Sequence, residues 1–213
     1  GVPTYWMIQE ATKPRGNFYG GSTRRLNSIA LSANRYCPAA TGQYWLAAGV
    51  SFTSYEIVNS LAVLSVGVGN GSLEFDVIGM STILVPPTPG ENFTPIGQAQ
   101  LALEGSFTLQ EDPFSADIVI QGQLTQNSYI FSRSCRLTGG FALAFWVGGN
   151  QGGDFVATFG GYHPDFKPPS YYPRVPRVGF HWMIGRLLNA KGNMYFALTP
   201  HAIMAGGLLE LLC

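Results

Sequence analysis

Charge is the scarcest thing in this sequence. Asp, Glu, Lys and Arg make up 11% of the 213 residues, less than half of the roughly 25% usual in soluble domains. Twelve basic and twelve acidic residues cancel, which removes the net positive field of a nucleic-acid binder, so no nucleic-acid partner is predicted. Cysteine is rarer still. Cys37, Cys135 and Cys213 are far apart, an odd count without CxxC spacing that does not support a disulfide framework and predicts free, mostly buried thiols, with a Cys37–Cys135 bridge as the alternative. His163, His181 and His201 lack the close ligand pairs of common zinc sites, and no metal is predicted. No apolar run approaches the roughly 18 residues of a membrane helix. The GxSxG pattern is missing, and Ser132, Ser134 and Cys135 occupy no nucleophile elbow. Gly67–Gly71 and Gly148–Gly153 are followed by no helix start, so neither offers a helix N-terminus to a phosphate, and no cofactor is predicted. They read as turns. The chain opens at Gly1 with no charged and apolar leader and stops within the apolar run Leu208 to Cys213. It therefore reads as a segment of a larger protein, with localisation left open.

What the sequence does have is 27 glycines and a persistent two-residue alternation. From Gln98 to Gln110 the odd positions read Ala99, Leu101, Leu103, Gly105, Phe107 and Leu109; from Ser115 to Thr125 the even positions Ala116, Ile118, Ile120, Gly122 and Leu124 take over. Successive strand side chains point to opposite faces, so these are two strands with one dry and one wet face, joined as an antiparallel hairpin through Asp112-Pro113. Tyr44 to Phe52 alternates too. Leu61 to Val68 runs into Asn70-Gly71, the favoured type I′ hairpin dipeptide, and returns as Leu73 to Val77. Further strands are expected at Ser128 to Ser132, Arg136 to Val147, Asp154 to Gly160, Leu188 to Leu198 and Ala202 to Leu212. Arg136 to Val147 and Ala202 to Leu212 are apolar on both faces, which predicts cover on both sides for the former. The predicted fold is all-β: an antiparallel meander of about ten strands, an open curved sheet or a barrel-like closure, with few or no long helices. Residues 1–41 are the exception, an irregular N-terminal segment reading as the tail of a preceding strand region. Within it Tyr5 to Gln9 suits a strand, and Leu26, Ile29, Ala30 and Ala33 a short helix. Residues 42–213 form the β domain, and Pro86 to Pro95 is a connection within it.

The charges that exist are unevenly spread. Residues 42–132 hold eight acids and no Lys or Arg, while both flanks are basic, an asymmetry suited to steering a partner or drawing the chain's ends over its middle. The densest candidate site is Gly160 to Trp182, rich in proline, histidine and aromatic residues. His163, Asp165 and Lys167 supply a base, an acid and an electrophile if they converge on one pocket; Tyr171, Tyr172, Arg174 and Arg177 are of the types that stack on rings of a ligand. The alternative is structural: Pro fixes φ, the aromatics cover a sheet edge, and His163 and Asp165 cap turns.

Four segments carry a family resemblance: GQYWLAAGVSFTSYEIVNSLAVLSV (42–66), LTQNSYIFSRSCRLTGGFALAFWV (124–147), GDFVATFGGYHPDFKPPSYYPRVPRVGFHW (153–182) and KGNMYFALTPHAIMAGGLLE (191–210). Together they resemble domain of unknown function 6603, found in very large, glycine- and β-rich proteins of bacteria and fungi. GGYHPDFKPP and YFALTP are the most specific stretches. The resemblance implies a long β module inside a larger chain and implies no activity, so it assigns no functional residue. It also implies further strands beyond Leu211, Leu212 and Cys213, where this sequence stops.

Four functional readings follow. The first is a non-catalytic β scaffold or interaction module, partnered by the rest of its parent chain through open sheet edges. The second is a groove for lipid or another apolar ligand, lined by the strands apolar on both faces. An outer-membrane-type barrel is the third, disfavoured because the alternating strands show no aromatic girdles. The last is a hydrolase using His163 and Asp165.

Overall fold

A computed structural model of the chain describes residues 42–54, 58–86, 95–185 and 188–212. The expectations for residues 1–41, for most of the Pro86 to Pro95 connection and for Cys37 and Cys213 fall outside the described residues. Five strands come first, β1 (Gln43–Ser54), β2 (Val58–Gly69), β3 (Ser72–Val85), β4 (Gly97–Gln110) and β5 (Ser115–Leu124), each paired antiparallel with the next. The alternation seen in the sequence is what allows this, because every strand keeps one apolar face in step with its neighbours. At the β2–β3 hairpin Asn70 and Gly71 take φ of 53° and 71°, the left-handed pair that a type I′ turn requires.

Beyond β5 the chain builds its strands in pieces. These are β6 (Tyr129–Ile130), β7 (Ser132–Thr138), β8 (Gly140–Gly148), β9 (Phe155–Phe159), β10 (Val178–Ile184), β11 (Leu188–Leu198) and β12 (Ile203–Leu212), with one 3-10 turn at Gly149–Gln151. β3 occupies one edge of β4, and β5 and β6 lie end to end along the other: Leu101 pairs with Leu124, and Gln98 with Tyr129. β8 and β7 follow β5 and β6, and β9 and β10 follow in turn, both meeting the same edge of β11. β12 takes the other edge of β11. The pairings of β4, β5, β8, β9, β11, β10, β7 and β6 therefore trace a closed ring, but the sheet is not a barrel. Among the described residues it is an open sheet nine strand positions wide, three of them filled by two strands in line.

The expected single strand Arg136 to Val147 is thus broken at Gly139, and Ser128 to Ser132 is reduced to two residues before Phe131 reverses the chain. β10 was hidden in the sequence by the prolines that precede it. The detour between β9 and β10 is the main irregularity. Phe159 pairs with Phe196 and Val178 with Met194, so residues 160–177 leave the sheet and return to the same place, as an Ω-loop does. Gly160 is the hinge. It takes φ of +80°, and a Cβ there would collide with the carbonyl oxygen of Met194 and reach 3.0 Å from the nitrogen of Val178.

The loop folds onto one face and makes the core. Ala144 and Trp146 of β8, Val156 of β9 and Ala197 of β11 lie beneath Tyr162 and Tyr172, with Val119, Phe166 and Met204 at the margin. Each large aromatic so covered removes on the order of 200 Å² from water, about 5 kcal/mol at the usual area coefficient. This corrects one expectation. β8 is covered on one side only: Phe145 and Val147, on its other face, are 40% and 52% exposed, because the loop lies over the even positions alone.

Candidate functional site

Within the loop, the sequence's candidates divide into two groups. Tyr171 and Tyr172 each donate a 2.7 Å hydrogen bond to Asp154, one to each carboxylate oxygen. Asp154 closes the turn after β8, its amide donating to the carbonyl of Gln151 and its own carbonyl accepting from Trp146. Tyr172 stacks on Trp146, while Tyr171 meets both rings edge-on. Arg177 clamps the base of the loop, donating to the carbonyls of Gly160 at 2.9 Å and Tyr162 at 2.5 Å, and its guanidinium lies 4.0 Å above the ring of Tyr195. Tyr162 donates to Pro173. These side chains tie the loop to itself and to the sheet.

The second group faces water. His163 accepts a hydrogen bond from the amide of Asp165 at 3.2 Å and stands 3.8 Å from its carboxylate, with side chains 47% and 93% exposed. Lys167 and Arg174 are exposed as well. The structure therefore brings Tyr171 and Tyr172 together on Asp154, and His163 to Asp165, without gathering all seven candidates in one place. Asp154 escaped the sequence reading. The available signal was an acid opening a strand just after a glycine-rich turn, but nothing in the sequence ties it to two tyrosines on a distant loop.

Electrostatics follow from these contacts. Burial pushes the Asp154 carboxyl up, but the hydroxyls of Tyr171 and Tyr172 and the amide of Phe155 together outweigh it and hold the group below the usual carboxylate range. Burial, then the bond to Asp154, raise Tyr172 far above an ordinary phenol. Burial lifts Tyr162 to about 12, against a small opposing pull from Arg174. No group of three or more His, Cys, Asp or Glu that would suit a metal occurs among the described residues. A polar hollow of about 290 Å³ lies beside β6, where Arg133 and Arg136 approach Gln98, Asn127 and Ser128.

The larger feature is the face turned away from the loop. Residues paired across an antiparallel sheet share a face, so the registers assign every strand position. On the loop side lie Glu74, Asp76, Glu104, Asp117, Arg136, His181, Lys191 and Glu210. The opposite face carries Leu46, Leu64, Val77, Leu103, Ile120, Leu143, Phe159, Phe196 and Leu209 among its strand residues, and among the described residues its only polar groups are the hydroxyl of Tyr44, the indole N–H of Trp182 and serines, such as the hydrogen-bonded pair Ser60 and Ser81. Arg133, at the bulge between β6 and β7, leans over Tyr129 on the loop side. Twenty of the twenty-eight large apolar side chains left exposed among the described residues lie on this one face. A soluble surface rarely leaves so large an apolar patch uncovered.

The fold and this surface define a class: an open, amphipathic antiparallel sheet with an aromatic Ω-loop on its polar side. The chain belongs to the family of unknown function DUF6603, whose profile matches residues 10–213. No curated protein and no solved structure matches it.

Proposed function

We propose that this chain is a non-catalytic sheet module with a structural or interaction role, working through its apolar face and through the edges of β1 and β12, where further strands of a parent chain would pair. One observation carries the reading: all charged side chains of the described strands sit on the loop side, so the other face is built to be covered. β1 adds support, with a twelve-residue edge containing no charge and no proline, the devices that ordinarily keep an edge from pairing. A lipid or other apolar ligand on the same face is the second reading, favoured by the lack of charge there. No observation favours the hydrolase reading, since His163 and Asp165 pair in an open turn.

Thiol labelling tests the main reading. Cysteine placed at Ile120, in the middle of the apolar face, is expected to react with a maleimide at least tenfold more slowly than cysteine at Gln123, exposed on the polar face of the same strand. Equal rates in the folded protein would mean that the face is bare, and the reading would fall.

A further inference from the structure

Resting on that reading, we propose that a second copy of this chain covers the apolar face, the two sheets packing face to face about a two-fold axis. The first argument is area. Nine strand positions at about 4.8 Å, and strands of ten to fourteen residues at about 3.4 Å each, make a face of roughly 1,500–2,000 Å². Two such faces together remove roughly 3,000–4,000 Å², well above the 1,600 Å² of a standard interface and within the 2,000–5,000 Å² of obligate dimers. A second copy matches this outline by identity, and two sheets of equal twist pack at about 10 Å with their strands within about 30°.

Relief is the second argument. Phe75, Phe107, Ile118, Phe145 and Phe155 stand in one row across five strands. The next row, Val77, Gly105, Ile120, Leu143 and Ala157, is lower, and Gly79 lies just beyond it. Ridge and trough on one surface are what a self-complementary contact needs, each copy's ridge entering its partner's trough. An open face one layer thick encloses little of a single lipid, whereas ligand sites bury most of their ligand's surface. The acidic middle of the polar side, Glu74, Asp76, Glu104 and Asp117, also disfavours adsorption to an anionic bilayer.

The test combines mass with accessibility on the 213-residue chain, with Cys37 and Cys213 replaced by serine, the buried Cys135 kept, and one cysteine introduced at Ile120 or Gln123. Sedimentation and native mass spectrometry are expected to give twice the 23.0 kDa of one chain, with position 120 protected from maleimide and, on mild oxidation, an interchain disulfide from Ile120→Cys that Gln123→Cys does not form. The unsubstituted chain is expected to show the same mass, so the result does not depend on any variant folding. A monomer with position 120 protected, by bound lipid or another part of the chain, overturns the second copy and leaves the interaction reading standing. A dimer with position 120 open also overturns it. A monomer with position 120 open removes both.

Discussion

The ring of Tyr172 lies flat on that of Trp146, with centroids 5.5 Å apart and planes 4° from parallel. This contact joins the Ω-loop to the centre of the sheet, and it is backed by the hydrogen bond from Tyr172 to Asp154. Trp146→Ala is expected to cost about 3–5 kcal/mol. Tyr172→Phe keeps the stack and loses only a bond to a charged acceptor, about 1.5–3 kcal/mol. Urea unfolding of the two variants separates packing from hydrogen bonding, and the reverse order would show that the bond dominates.

Acid is expected to loosen the loop. Asp154 has a folded-state pKa below its unfolded value, so its contribution is complete above the unfolded value near 3.9 and is lost as pH falls through the lower folded value. Asp154→Asn removes that limb. Stability measured from pH 5 down to pH 2 checks this, and identical slopes for variant and parent would exclude Asp154 as the cause.

Alkali acts through the tyrosines, with the opposite sign. Tyr162, at about 12, and Tyr172 hold their protons in the folded state after the unfolded chain has lost them. Their contribution is therefore constant below pH 10 and falls above it, by at most about 1.4 kcal/mol per pH unit for each group. Tyr162→Phe is expected to reduce the slope between pH 10 and pH 12, read by circular dichroism during urea titration.

Two glycines with similar backbone angles are expected to respond differently to alanine. Gly153, at φ +87°, has open space where a Cβ would go, while at Gly160, at φ +80°, a Cβ meets Met194 and Val178. Gly153→Ala is expected to cost about 1–2 kcal/mol for the left-handed backbone alone. Gly160→Ala adds about 1–3 kcal/mol of overpacking. Hydrogen exchange in residues 161–177 should rise for Gly160→Ala only.

Asp76 is the acid least suited to its place. Burial first, then Glu74 and Glu104, raise its pKa, and the hydroxyl of Ser65 only partly offsets them. A raised carboxyl destabilises the fold once ionised, so Asp76→Asn is expected to stabilise it at pH 7 by about 0.5 kcal/mol, the scale of like-charge neighbours in a sheet. The gain should vanish at pH 3, where Asp76 is protonated; a thermal melt at each pH reads it.

Much of the sheet was legible in the residues themselves. Alternation is a local property, and a side chain's direction depends only on its position in its own strand, so Gln98 to Gln110, Ser115 to Thr125 and the Asn70-Gly71 hairpin were readable without a partner. Two things were not. That Ile120, Phe145 and Phe196 share one uninterrupted apolar face depends on register, which is set by pairings between distant segments. That Tyr172 reaches Trp146 and Asp154 depends on where an eighteen-residue detour lands, and proline and aromatic content say only that such a detour exists. The sequence by itself thus determined the strands, their polarity and the scarcity of charge, because short-range sterics and hydropathy act within a strand. Only the tertiary structure decided which strands lie in line, which face the loop covers and which face it leaves apolar, because those depend on contacts between residues far apart in the chain.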